Sequence, residues 1–375
     1  MKKILILICT FTLSIYGMEK EKEERIPIIY TALADGTEVI DINSENIVPI
    51  ASLTKVMNVL VAKDQISKGN FSLKDKVVFD KYTAFITGGA ISVWSGDDSY
   101  TLEDLLKAQM IFSSNNSAYA VAKHVGRGDI NEYIRLMNKK AREIGMYNTY
   151  FASPAGLPPR LNKGFGMDVS TAKDLYLLTK YVIKNTDILD YSNTKSIKFP
   201  NSKDSLRVYY NRISILGEYG VIGLKTGYHS ESGYNIIIVS KIGDSMVISI
   251  SLNSETEKER YDLQREILSK LSERLEKFID KDKSYYLFDL KDYKKKTLEG
   301  YLKEDVNLIN LGQEFTYDIK LNDIDDNINI DDEIATLYVM LNGEVVVTKP
   351  IFAKNENRKL NWFEKILRHI SFGLY

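Results

Sequence analysis

The chain has 375 residues and is nearly neutral, with 50 Lys and Arg against 51 Asp and Glu. A net charge of −1 excludes a nucleic-acid partner, since phosphate binding needs a basic face. One cysteine and three histidines leave no cluster with metal-ligand spacing, so neither metal nor cofactor is expected. The 24 tyrosines then read as sheet and groove residues, not base-stacking platforms.

In chain order, residues 1–17 come first: Met1-Lys2-Lys3, an apolar run, and Gly17. A positive start, a short apolar run and a small residue at its end make a signal peptide, so the protein is expected to be exported. Cys9 lies inside that segment, leaving the mature chain without a disulfide. After Pro49, the run Val56, Met57, Val59, Leu60 predicts a helix that begins near Ser52. Residues 101–125 and 130–144 carry helical periodicity, 234–240 and 246–252 read as strands split by Ile242-Gly243-Asp244-Ser245, and 257–278 reads as a charged helix. Adjacent strands among helices predict an α+β domain over residues 25–280, an antiparallel sheet covered by helices.

The lysine-rich stretch 281–296 reads as a boundary containing a first strand at 285–288. Beyond it strands dominate. Residues 334–341 and 344–348 flank Asn342-Gly343, a two-residue turn whose backbone suits strand twist. Residues 281–355 are therefore expected to form a small all-β domain. Asp323 to Glu333 looks like a calcium loop, yet Ile328 stands where glycine is needed and Ile334 where glutamate is needed. In the tail, 358–375, Trp362, Phe363, Ile366, Leu367, Ile370 and Leu374 recur at three- and four-residue steps, with Lys365, Arg368 and His369 nearer the other side. That pattern predicts a helix lying in a membrane interface rather than docked on its own β domain.

Three short strings carry the chemistry. Ser52-Leu53-Thr54-Lys55 puts a hydroxyl and an amine one helical turn apart, so Ser52 can attack a carbonyl while a neutral Lys55 takes its proton. Ser114-Asn115-Asn116 supplies a hydroxyl that can relay a proton to a leaving nitrogen, and an amide at Asn116 to orient Lys55 and bond substrate backbone. Lys225-Thr226-Gly227 supplies a cation and a donor for a carboxylate, with no Cβ at Gly227 to keep an extended substrate away. The backbone N–H groups of Ser52 and Tyr228 are the expected oxyanion donors. A His-dependent triad is set aside because a lysine already occupies the base position; His124 reads as a helix-surface residue and His229 as no more than a neighbour.

S-x-x-K, S-x-N and K-T-G in this order mark penicillin-binding proteins and related β-lactamases. The chain resembles the D-alanyl-D-alanine carboxypeptidases, low-molecular-weight penicillin-binding proteins, from about residue 27 to its end. Further similar segments are Thr31 to Ile40, Gly96-Asp97 with Thr101 to Leu106, Phe151 to Leu157, Ser170 to Asp174, and Glu259 to Gln264. The resemblance implies a transpeptidase-like catalytic domain, a β domain as spacer, and Arg260 as a further holder of the substrate carboxylate. It also implies a peptidoglycan stem peptide ending in D-Ala-D-Ala as substrate, β-lactams as acylating inhibitors, and attachment to the outer face of the cytoplasmic membrane, in the periplasm.

Asn115 stands where the family usually has glycine or alanine, and Tyr228-His229 departs from the usual pair after Lys-Thr-Gly; neither change removes a reacting group. A class A β-lactamase would need a glutamate before Leu161-Asn162, and Pro158 stands there. A DD-endopeptidase generally lacks the β domain and tail. A non-catalytic β-lactam sensor or wall-binding module would have no need of the intact set of reacting groups.

Overall fold

The computed structural model describes residues 25–97, 99–161, 166–202 and 205–370. The expected signal peptide with Cys9, Asn162, and residues 371–375 with Leu374 lie outside the described residues.

The catalytic domain is built on a five-stranded antiparallel sheet. Its strands run in the order Glu38–Ile42, Ile28–Leu33, Ser245–Ser254, Gly233–Ile242 and Val221–His229. The unbroken run Ile236 to Val239 does not alternate because both faces of the sheet are covered. Ile237 and Val239 face the main helical core, while Ile236 and Ile238 pack with Leu268 and Leu271 of the helix Glu257–Ser272. The helix Thr54–Ser67 is buried from Thr54 through Ala62, so Lys55 and Asn58 are enclosed together with its apolar residues.

Two helical expectations were too long. Residues 101–125 form two helices, Leu102–Ile111 and Asn115–Val125, separated at Ser113, whose φ of 67° is left-handed. The charged helix ends at Ser272, and Leu275–Ile279 is a strand paired with Val306–Ile309. The helix Ile130–Ile144 starts with an Asp129 cap and stops at Gly145 in the left-handed region, as its sequence signals require.

The C-terminal domain is a second antiparallel sheet, ordered Tyr286–Asp289, Thr297–Tyr301, Glu344–Ala353, Glu333–Leu341 and Phe315–Leu321. Leu298, Ile334, Leu337, Val339 and Ile351 form its core. Asn342 and Gly343 turn with φ of 51° and 82°, the two positive values that a type I′ hairpin requires. Lys349 of this sheet reaches Asp244 of the catalytic domain at 2.8 Å.

The last helix, Trp362–Ile370, turns its polar side toward the β domain. Glu364 pairs with Arg358, Lys365 with Asp292, and Arg368 donates to the carbonyls of Lys291, Tyr293 and Lys294. Trp362 and Phe363 stay 77% and 62% exposed. Docking and an outward apolar face thus coexist. Among the described residues no helix is long and apolar enough to cross a membrane.

Candidate active site

Ser52 sits in the 3₁₀ turn Ala51–Leu53 that leads into the helix carrying Lys55. Ala51 holds a left-handed φ of 49°, a conformation that costs an ordinary residue roughly 1 kcal/mol or more and persists only where surroundings enforce it. Two glycines do the enforcing. A Cβ on Gly156 would lie 1.8 Å from the Ala51 carbonyl oxygen, and one on Gly227 would lie 2.7 Å from the Ile50 oxygen and 3.1 Å from the Ser52 nitrogen. The Lys225 strand and the loop after Phe151 therefore clamp the turn from two sides, and Gly227 brings strand backbone against the Ser52 N–H.

Lys55 is fully buried, and its Nζ donates to Ser52 Oγ at 2.8 Å and to the Ala155 carbonyl at 2.8 Å. Burial pushes its pKa down to about 7, with Asp168 pulling the other way. Once neutral, the amine keeps the bond to Ala155 and turns its lone pair to the Ser52 proton. That is the geometry of an activated nucleophile.

Ser114 caps the helix Asn115–Val125, accepting the Ser117 N–H, and its hydroxyl donates to Asn116 Oδ1 at 2.6 Å. Asn116, expected to orient Lys55, meets Ile91: its Nδ2 donates to the Ile91 carbonyl and its Oδ1 accepts the Ile91 N–H, which fixes the segment at Ile91. Ala155 supplies the contact to Lys55. Asn115, the unusual middle residue, donates from Nδ2 to the Thr87 and Gly88 carbonyls and ties down the adjoining loop.

Lys225 is buried, donates to the Thr226 carbonyl at 2.8 Å, and has its pKa pushed well down by burial, then by Lys55, Arg260 and Arg212. Four basic side chains thus share one field, in which the two lysines are pushed toward their neutral forms. Arg260 is 2% exposed and donates to Glu257 and the Asn235 carbonyl, flanked by the rings of Tyr234 and Tyr261, while its Nε has no partner among the described residues. Thr226 is buried beside Lys225, and the exposed Tyr228 side chain stacks on Tyr234 at 4.1 Å. His229 lies at the strand end, accepting the Ser232 N–H beside Glu231; His124 is on a helix beside Asp75.

Sequence reasoning missed Ala155, Asp168 and Arg212. A backbone carbonyl leaves no residue signature. Arg212, stacked on Phe112, sits in Asn211-Arg212-Ile213 with no motif around it. Asp168 is separated by more than a hundred residues from the lysine it influences.

A serine bonded to a buried lysine, on an antiparallel sheet covered by helices, defines a serine acyl-transfer hydrolase of the transpeptidase-like fold. The family model described as D-alanyl-D-alanine carboxypeptidase matches residues 29–256. The chain belongs to that family of penicillin-binding serine peptidases of peptidoglycan metabolism. It is 27% identical over 334 residues to the D-alanyl-D-alanine carboxypeptidase DacF of Bacillus subtilis, covering 87% of this chain and 84% of that one. A D-alanyl-D-alanine endopeptidase of Haemophilus influenzae is 28% identical over 56% of this chain and 69% of its own length. Among solved structures, the carboxypeptidase DacD of Francisella tularensis superposes with a TM-score of 0.63 at 20% identity, covering 93% of this chain and 98% of that one, a likeness of fold. Penicillin-binding protein D2 of Listeria monocytogenes, in its cefotaxime-bound form, has a TM-score of 0.56 and 25% identity over 64% of this chain and 94% of its own.

Proposed function

We propose that the protein is a D-Ala-D-Ala carboxypeptidase that removes the terminal D-alanine from peptidoglycan stem pentapeptides. The observation that carries this reading is the 2.8 Å contact between Lys55 Nζ and Ser52 Oγ in a buried site. Neutral Lys55 takes the Ser52 proton as Oγ bonds to the penultimate D-alanine carbonyl, and the N–H groups of Ser52 and Tyr228 receive the oxyanion. The C–N bond then breaks, the terminal D-alanine leaves with a proton relayed through Ser114, and water hydrolyses the ester. Asn116, besides holding Ile91, presents its amide edge to substrate backbone.

Carboxypeptidase rather than endopeptidase action is favoured by the buried basic groups. Lys225, Thr226, Gly227 and Arg260 form the subsite for a free terminal carboxylate, and a buried guanidinium with an unpaired Nε suits that ligand. The carboxypeptidase of Bacillus subtilis aligns over 87% of this chain and so shares part of the β domain as well. β-Lactams present the same dipeptide end as a strained amide, so they should acylate Ser52 and leave slowly; the Listeria relative is known in cefotaxime- and ampicillin-bound forms.

The location consistent with this activity is the outer face of the cytoplasmic membrane, with the helix Trp362–Ile370 laid on the lipid surface by its exposed aromatic side. The deciding experiment gives the purified protein a D-Ala-D-Ala pentapeptide and, separately, a crosslinked muropeptide. One D-alanine released per pentapeptide, none from a Ser52→Ala variant, and no cleavage of the crosslink are expected. Cleavage of the crosslink alone would make the enzyme an endopeptidase, and penicillin labelling without either product would make it a sensor.

A further inference from the structure

Asp168 is a fully enclosed carboxylate at 2% exposure to which the proposed chemistry gives no role. Its surroundings are organised. Oδ1 accepts the N–H groups of Ala152 and Ser153, each at 3.1 Å, and Oδ2 accepts the Ser153 hydroxyl at 2.6 Å. Ser153 Oγ in turn accepts the N–H groups of Ala155, Gly156 and Leu157 at 3.3, 2.9 and 3.3 Å. The loop is thus wound around one hydroxyl that one carboxylate holds. Its Ala155 carbonyl accepts Lys55 Nζ, its Pro154 carbonyl accepts Asn58 Nδ2, and its Gly156 touches the Ala51 carbonyl. Asp168 also reaches the nucleophile by a second route, since its own carbonyl accepts the Ile50 N–H at 3.1 Å, two residues before Ser52.

We propose that Asp168 is the positioning residue of the lysine base, fixing through Ser153 the carbonyl that aims Lys55 and through Ile50 the turn that carries Ser52. An activated nucleophile needs its base oriented by a third group. Here that group is the Ala155 carbonyl, and a carbonyl in a loop is only as well placed as whatever holds the loop. The proposal rests on the acyl-enzyme reading of Ser52 and Lys55.

The hydrogen bonds also specify the ionisation state. Among the described residues three donors meet the Asp168 oxygens, two of them N–H groups that cannot reverse, so the carboxylate satisfies all three, whereas the acid would have to turn its proton onto a Ser153 oxygen that already accepts three N–H groups. Burial pushes Asp168 up to about 7 while the three donors and Lys55 hold it down. Tyr119, from the helix Asn115–Val125, is the other titratable group facing Asp168 and stays neutral, its pKa raised by burial. Facing Lys55 are Asp168, which favours its ammonium, and Lys225, whose own pKa Lys55 helps push down. Removing the Asp168 charge therefore lets Lys55 lose its proton at lower pH.

The test is the second-order rate of labelling by a fluorescent penicillin across pH, for the full chain, Ser52→Ala, Asp168→Asn and Ser153→Ala, with thermal melting as the folding check. Asp168→Asn is expected to lower the plateau rate by about tenfold to a hundredfold, the scale of a small misplacement of reacting groups, and to move the acid limb to lower pH. An asparagine Nδ2 would face a Ser153 oxygen already crowded with donors. Ser153→Ala keeps the charge and is expected to lower the plateau without moving the limb toward acid. A folded Asp168→Asn with an unmoved limb and a plateau within about twofold of the parent overturns the proposal. If Asp168→Asn does not fold, Ser153→Ala with the parent's plateau overturns it instead. Absence of Ser52-dependent labelling in the parent would sink the acyl-enzyme reading and this proposal with it, whereas parental labelling with indifferent variants sinks this proposal alone.

Discussion

Each of the two domains encloses an apolar core, but they bury polar side chains very unequally. The catalytic domain encloses Lys55, Ser114, Asn116, Asp168, Lys225 and Arg260 at 2% exposure or less. Past Gln264, Asn357 is the one buried polar residue among the described residues. Enclosing a cation without a directly bonded anion destabilises a fold, because the charged form loses its water. Lys55 and Lys225 accept that cost where it lowers an amine pKa, and the β domain, with no such group to tune, is the more conventional core.

The contrast is sharpest at Lys55. Its folded pKa is about 7 against 10.5 unfolded, so acylation should rise with pH through about 7 as the amine becomes neutral. Stability carries the same signature with a checkable sign. Between those two values the unfolded state holds more protons than the folded one, so stability rises with pH over that window. Lys55→Met should reduce penicillin acylation by about a hundredfold to ten-thousandfold, and should flatten the stability slope by up to about 1.4 kcal/mol per pH unit. Stopped-flow labelling and urea titrations at several pH values measure the two. An unchanged stability slope would mean that Lys55 is not held neutral.

Arg260 tests whether the buried cations serve substrate rather than fold. Arg260→Ala should lower D-alanine release about tenfold to a hundredfold, mainly through KM, because a charge-assisted bond to the substrate carboxylate is lost. Steady-state kinetics on the pentapeptide decide it, and an effect confined to kcat would argue for a structural role.

Much of this contrast could be read from residue types alone. The three motifs announce Ser52, Lys55, Ser114, Asn116 and Lys225, because nucleophile, base and cation each need a particular side chain. The Asn342-Gly343 hairpin is announced for a similar reason, since its turn needs two positive φ values. Backbone does not advertise itself in that way. The break at Ser113 has no glycine or proline to mark it, so helical periodicity runs through 112–114 unbroken. Strand Leu275–Ile279 follows a charged helix so closely that its largely exposed residues, Leu275, Glu276 and Lys277, fit either element. The partner of Lys55 is a carbonyl, and the Ile91 backbone that Asn116 holds has no side-chain signature to announce it.

At the outer edge of the β domain the exposed aromatic side of the last helix gives a smaller effect. Replacing both Trp362 and Phe363 with serine should weaken binding to phosphatidylglycerol-containing vesicles about tenfold or more, since each buried aromatic contributes on the order of 1.5 kcal/mol. Sedimentation with vesicles measures it. Arg368 and Glu364 keep the helix on its domain in that variant, so loss of binding would report the apolar side and not an undocked helix.

The least change in acylation is expected from the heaviest damage to the second core. Leu337 is fully buried there, and Leu337→Ala should destabilise the β domain by about 2–5 kcal/mol through lost burial and a residual cavity. Yet every group that touches the reaction belongs to the other core, and the junction is made elsewhere, where Lys349 and the Asn307 N–H meet Asp244, the Ile309 N–H donates to Ser245 Oγ, and Ile309 packs with Val221 and Leu268. Penicillin labelling of Ser52 should therefore stay within about twofold of the parent while the β-domain melting transition shifts down. If labelling falls in step with that transition, the two cores are one cooperative unit. Polar burial would then have to be accounted for across the whole chain, because the β domain would be helping to hold Lys55 and Lys225 out of water.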